Sequence, residues 1–121
     1  LQVLCIDDDR EILDGMRMLL ERWGCRVQVA AGREEALASA HPALDLMIVD
    51  YHLAGGDDGV SVSAAVRRAI DRDCPVVVLT ADREDDLGER LEVLGYQRLF
   101  KPVKPAALRA LMRHAVGGVR E

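Results

Sequence analysis

Four short apolar runs in this chain each stop on a polar or charged side chain, and amphipathic stretches separate them. Val3-Leu4-Cys5-Ile6 runs into Asp7-Asp8, and Leu44-Asp45-Leu46-Met47-Ile48-Val49 into Asp50. Val76-Val77-Val78-Leu79 runs into Thr80, and Arg98-Leu99-Phe100 into Lys101. Such runs are too short for helices and suit strands buried on both faces, as in a parallel sheet. All strand C-termini of a parallel sheet lie on one edge, where ligands bind in open α/β folds. Three carboxylates, a hydroxyl and an ammonium would therefore meet there.

Taken in order, Leu1 to Ile6 reads as the first strand. Asp9 then caps a helix whose apolar face is Ile12, Met16, Leu19, Leu20 and Trp23, and Gly24 ends it. Cys25 to Ala30 is a second strand near an edge, and Arg33 to Ala40 a short helix closed by His41-Pro42. The strand ending at Asp50 leads into a glycine-rich loop at 54–59. A third helix carries Val60, Val62, Val66 and Ile70. After the fourth strand, Asp82 to Leu94 reads as a charged helix with a thin stripe of Leu87, Leu91 and Leu94. A fifth strand spans 97–100. The last helix opens at Lys104-Pro105, presents Leu108, Leu111, Met112 and Ala115, and is expected to stop at Gly117-Gly118.

Five β/α units without linker or repeat predict one domain over residues 1–121. The expected fold is α/β, a (βα)5 three-layer sandwich with a parallel five-stranded sheet. Strand order 2-1-3-4-5, the flavodoxin-like possibility, would set strands one and three side by side. Asp7, Asp8 and Asp50 would then be neighbours.

Composition narrows the function. The net charge is −5 and no basic stripe is visible, so nucleic acid is not an expected partner. Trp23, Tyr51, Tyr96 and Phe100 are the only aromatics, too few for base stacking. Three cysteines lack CxxC spacing; Cys5 and Cys74, in or beside apolar runs, read as small buried thiols, and a reducing cytoplasm is the expected compartment. No run approaches the ~20 apolar residues of a membrane span, and direct membrane contact is not expected. The chain opens on Leu1, which reads as a piece of something longer.

Three clustered carboxylates disfavour joint ionisation. A hard divalent cation relieves this, and Mg²⁺ prefers oxygen ligands. With the cation bound, one carboxylate can attack a phosphoryl group and form an acyl phosphate while the others hold the metal. A lysine and a threonine would contact the phosphoryl oxygens. Each residue alone has a plainer reading: Asp7-Asp8-Asp9 as a capping turn, Asp50 or Thr80 as a cap, Lys101 as surface. What favours the site is that four strands in the expected order end suitably. Lysine is also scarce, occurring only at 101 and 104 among 16 basic residues, so its place after the fifth strand calls for a local reason.

These residues resemble the receiver (response-regulator, CheY-like) domain of two-component signalling. The resemblance covers nearly the whole chain. It rests on Ile6-Asp7-Asp8-Asp9, Val49-Asp50-Tyr51-His52-Leu53, Leu79-Thr80-Ala81 and Phe100-Lys101-Pro102. It implies that Asp50 accepts phosphate from a histidine kinase or histidine phosphotransfer domain. It implies Mg²⁺ on Asp7, Asp8, Asp50 and the His52 backbone carbonyl, with Thr80 and Lys101 at the phosphoryl group. It also implies a cis Lys101-Pro102 bond. More narrowly, the stretches Asp50 to Gly56 and Lys101 to Pro105 look like receivers at the C-terminus of hybrid sensor histidine kinases. Such a module is a switch rather than an enzyme, and its oligomeric state is open.

Departures and rivals bear on this. Asp58-Gly59 arrives one residue late, in a longer loop. Arg98 stands where the family commonly has an aromatic ring, and an ion pair with the acidic fourth helix is expected instead. Tyr96 would share its face. The His52 side chain either overhangs the site or is incidental. His41, His114 and the Arg67-Arg68 pair read as surface groups. A phosphatase of the haloacid dehalogenase type would put its nucleophile on the first strand, but Glu11 breaks that motif. A degenerate receiver would lack part of the site set, which is intact here.

Overall fold

The computed structural model describes residues 1–81 and 85–120. Its elements are β1 (Gln2–Ile6), α1 (Arg10–Arg22), β2 (Arg26–Ala30), α2 (Arg33–Ala38), β3 (Leu46–Asp50), α3 (Gly59–Ile70), β4 (Val76–Thr80), α4 (Asp85–Leu94), β5 (Gln97–Phe100) and α5 (Pro105–Arg120). A short 3₁₀ turn, Ala54–Gly56, precedes α3. The strands form one parallel sheet in the order β2-β1-β3-β4-β5. The expected flavodoxin-like topology is therefore present.

Alternate residues of each strand feed two cores. Leu4, Ile6, Met47, Val49, Val76 and Val78 pack with α2, α3 and α4. Val3, Cys5, Leu46, Ile48, Val77 and Leu79 pack with α1 and α5. The central β3 and β4 are buried at every position, which is why they read as unbroken apolar runs. β2 at the edge alternates between exposed and covered residues.

Several helix faces differ from expectation. On α1, Leu13 and Leu20 are buried while Ile12 is 41% exposed. A period of 3.6 residues admits two overlapping stripes here, and packing on the sheet selects the one through Leu13. On α4, Leu87 and Leu91 are buried, but Leu94 faces outward at the last residue before Gly95 turns the chain with φ +74°. The expected start of this helix, at 82–84, lies outside the described residues. α5 does not stop at Gly117-Gly118; it runs on to Arg120. Two glycines cost a helix about 1 kcal/mol each but do not forbid it, and Val116 still anchors this turn in the core.

Arg67 is not a solvated group. Its Nε donates to the Cys74 carbonyl at 2.8 Å, and its guanidinium lies 4.5 Å from the Tyr96 ring centroid. Arg68 is exposed, as expected. His41 acts as a local cap, its Nδ1 accepting from the Ala43 N–H, and His114 is exposed.

Candidate functional site

The site grows from strand ends. Ile6 pairs with Val49 across β1 and β3, so Asp7 and Asp50 leave the sheet side by side. Asp8 follows at the surface. One carboxylate oxygen from each of Asp7, Asp8 and Asp50 lies within 4.8 Å of the others. Asp7 and Asp50 are buried and Asp8 is exposed. Asp9, next in line, caps α1 through the Glu11 and Ile12 amides.

Asp7 carries an unusual burden. Its Oδ1 accepts from the Asp9 amide at 2.9 Å, but its buried Oδ2 has no hydrogen-bond partner. Burial pushes its carboxyl above the ordinary range; the Asp9 bond pulls it back, and the Asp50 charge adds to the rise. A buried carboxylate oxygen without a donor, facing two more carboxylates, fits a hard cation with oxygen ligands. Asp7, Asp8 and Asp50 are the residues that could hold one.

Lys101 leaves β5 and reaches Asp50, with Nζ 2.9 Å from Oδ1. Its backbone N–H donates to the Thr80 carbonyl at 3.0 Å, tying the ends of β4 and β5. The Lys101-Pro102 peptide is cis, as the resemblance implies. Thr80 ends β4 fully buried. The structure thus brings all five expected side chains to one sheet edge.

The loop after Asp50 folds back closely. The Gly59 amide donates to the Tyr51 carbonyl at 2.8 Å, and a Cβ at Gly59 would lie 2.3 Å from the Asp50 carbonyl oxygen. Only glycine fits there. Asp58 caps α3 by accepting from the Ser61 amide at 2.8 Å. His52 pairs with Asp58 in an isolated antiparallel bridge. Its exposed ring meets the Tyr51 ring edge-on, with centroids 4.8 Å apart.

Arg98 and Tyr96 take up different places. The Arg98 guanidinium lies 4.6 Å from the Phe100 ring centroid and against Gly88 of α4, where an added Cβ would sit 2.9 Å from Nη2. Arg98 therefore lies against the glycine of the fourth helix. Tyr96 is buried, its hydroxyl 3.4 Å from Ser63 Oγ on α3.

Three contacts around the site have no local signature in the sequence. Arg33 forks onto Asp57, with Nε 3.0 Å from Oδ2 and Nη2 2.8 Å from Oδ1, and Nη2 also donates to Ser61 Oγ at 2.6 Å. Arg10 pairs with Glu35 at 2.7 Å. Arg90 Nη1 of α4 lies 3.5 Å from the Tyr51 hydroxyl.

Comparison with known proteins agrees with this geometry. The family described as "Response regulator receiver domain" matches residues 3–113. The transcriptional regulatory protein CpxR of Escherichia coli is 32% identical over 94% of this chain and 50% of its own length. The phosphate regulon regulator PhoB of Klebsiella pneumoniae is 30% identical over 93% of the chain and 52% of its own. The chain thus spans about half the length of these curated relatives. Among solved structures, the chemotaxis protein CheY4 of Vibrio cholerae superposes with a TM-score of 0.81 at 27% identity, covering 94% of this chain and 97% of that one. A Burkholderia pseudomallei response regulator, solved with a phosphorylated aspartic acid, calcium ion and citrate, gives 0.80 at 28%, covering 98% and 70%. A sheet of this order, an acidic pocket with its lysine, and these matches together place the chain in the response regulator receiver domain family of two-component signalling.

Proposed function

We propose that Asp50 takes a phosphoryl group from a phosphohistidine, on a histidine kinase or a phosphotransfer domain, in a Mg²⁺-dependent step. The carrying observation is that Asp7, Asp8 and Asp50 converge within 4.8 Å while Lys101 contacts Asp50. The related Burkholderia protein with a phosphorylated aspartic acid and a calcium ion supports the reading.

In this reading the Asp50 carboxylate attacks phosphorus in line. The P–N bond to the histidine breaks, its imidazole leaves with the bond electrons and takes up a proton, and an acyl phosphate forms on Asp50. Asp7, Asp8, Asp50 and the His52 carbonyl would hold Mg²⁺, which would neutralise charge on the phosphoryl oxygens. Lys101 neutralises Asp50 before transfer and can follow a phosphoryl oxygen afterwards. Thr80 offers a hydroxyl at the neighbouring strand end.

The product is a switch, in a single domain over residues 1–121 within a cytoplasmic phosphorelay. Among the described residues no helix is long and apolar enough to cross a membrane. Placement at the C-terminus of a hybrid sensor histidine kinase is the narrower proposal. It is supported by the loop sequences Asp50 to Gly56 and Lys101 to Pro105. The phosphatase alternative needs its nucleophile on β1. Against it, Lys101 pairs with Asp50 of β3.

Incubation with acetyl phosphate and Mg²⁺, followed by intact mass, tests the proposal. One labile phosphoryl is expected, absent in Asp50→Asn and absent with EDTA. Sustained hydrolysis of a phosphate ester that survives Asp50→Asn, or no added mass in the wild type, would refute it.

A further inference from the structure

We infer that Arg33 is a positioning residue for the cation site, acting through the loop that carries the His52 carbonyl. The inference rests on the Mg²⁺ reading above. Arg33 opens α2 and belongs to no motif of the site.

The loop between β3 and α3 has little to hold it. Gly55 and Gly56 both adopt positive φ, at +75° and +78°, and their surroundings are open. Asp57 is where it is fastened. Its carbonyl accepts from the Leu53 amide at 3.1 Å and its Oδ1 from the Asp58 amide at 3.0 Å. Both of its carboxylate oxygens are then taken by the Arg33 fork, whose Nη2 also reaches Ser61 on α3. The clamp therefore joins α2, the loop and the first turn of α3. Leu53 on one side and Asp58, paired with His52, on the other transmit its position to the His52 backbone.

Electrostatics and positioning predict opposite signs. Removing Arg33 deletes a positive charge beside the loop that follows β3 and frees the Asp57 charge. Both changes alone would tighten cation binding. Loss of positioning weakens it, and outer-shell partners of metal ligands typically control affinity by about tenfold or more.

The test is Mg²⁺ titration of the full chain, followed by amide shifts of residues 50–59, with hydrogen exchange of the same amides in metal-free buffer. Arg33→Gln should raise the Mg²⁺ Kd about tenfold and speed exchange at 52–58 while β3 and β4 amides keep their protection. Arg33→Lys should recover little, since an ammonium cannot bridge two carboxylate oxygens and a hydroxyl in one plane. Asp57→Asn should match Arg33→Gln, and the double variant should be no worse than either. Arg10→Gln removes a charge that pairs with Glu35 of α2 without touching the loop and should leave Kd unchanged or lower. An Arg33→Gln protein that binds Mg²⁺ as tightly as wild type, or more tightly, overturns the positioning role. So does equal loss of protection throughout the sheet. A wild type with no Mg²⁺ response overturns the site reading itself, and this role with it.

Discussion

Lys101 Nζ sits 2.9 Å from Asp50 Oδ1, joining the end of β5 to the end of β3 across the intervening β4. One ammonium thus faces a carboxylate that lies within 4.8 Å of two others. The contact is only partly shielded, since the lysine side chain is 32% exposed. A hydrogen bond to a charged group contributes about 1.5–3 kcal/mol, and exposure puts this one near the lower bound. That contact belongs to the ground state; the rate depends on the ammonium following the phosphoryl oxygens as their charge develops. Lys101→Met should therefore slow phosphorylation by acetyl phosphate at least about tenfold, read as the rate of mass gain. A wild-type rate would show that Lys101 has no part in transfer.

Asp7 should make the metal-free protein less stable at neutral pH than its own isostere. Burial raises its carboxyl above the ordinary 3.8. The folded state then holds this proton more tightly than the unfolded chain. Stability falls as pH rises from the unfolded value through the raised folded value, and the deficit is complete above it. Asp7→Asn keeps the acceptor for the Asp9 amide, removes the charge, and sets a donor among the remaining carboxylates. With EDTA at pH 7 its melting temperature should exceed wild type by about 2–6 °C, with the gap closing below about pH 4. Added Mg²⁺ should raise the wild type and not the variant. Calorimetry checks both, and a lower Tm for Asp7→Asn at neutral pH would contradict the expectation.

The sheet and the pocket were readable along the chain because buried parallel strands leave continuous apolar runs, and the pocket residues are the next ones after them. Asp7, Asp50, Thr80 and Lys101 need only the strand order to become neighbours. Helix orientation was less readable. Ile12 and Leu13 are adjacent, equally apolar, and only the angle of α1 on the sheet decides between them. Arg67 looked solvated because nothing in its neighbourhood announces Tyr96, which is 29 residues away by their numbers and stacks beneath it. The Arg33 fork on Asp57 joins residues 24 apart, and neither end has a pattern that asks for the other. Contacts of that kind exist only once two loops have been placed by the core.

The three thiols should be inert in the native protein. Cys5, Cys25 and Cys74 are free and buried. Burial pushes Cys5 up to about 12 and Cys74 to about 11, and raises Cys25 as well. Thiolate is the reactive form, so little of it exists at pH 8. A disulfide-based chromogenic reagent should show no stoichiometric fast phase on the folded protein. In guanidinium all three thiols should react promptly. Cys25, on the flank of the edge strand β2, should be the first to appear under mild destabilisation. A fast native equivalent would mean that one of the three is reachable.

Two glycine-to-alanine changes should move stability in opposite directions, for reasons that composition does not reveal. Gly59 opens α3 beneath the acceptor strand, and an added methyl would meet the Asp50 carbonyl oxygen at 2.3 Å and Val49 Cγ2 at 2.9 Å. Both obstacles belong to the central strand, one of them backbone, so neither can move aside cheaply. Overpacking of this kind costs about 1–3 kcal/mol and sometimes more, and here it also displaces Asp50. Gly15 lies on the exposed side of α1, where an added Cβ meets nothing within 4 Å. Alanine there gains helix propensity of about 0.5–1 kcal/mol. Urea midpoints should therefore fall for Gly59→Ala and rise for Gly15→Ala. Phosphorylation should be impaired only in the former. If Gly59→Ala folds with wild-type stability, the close approach of α3 to β3 is wrong, and with it the backbone path that presents Asp50 to the pocket.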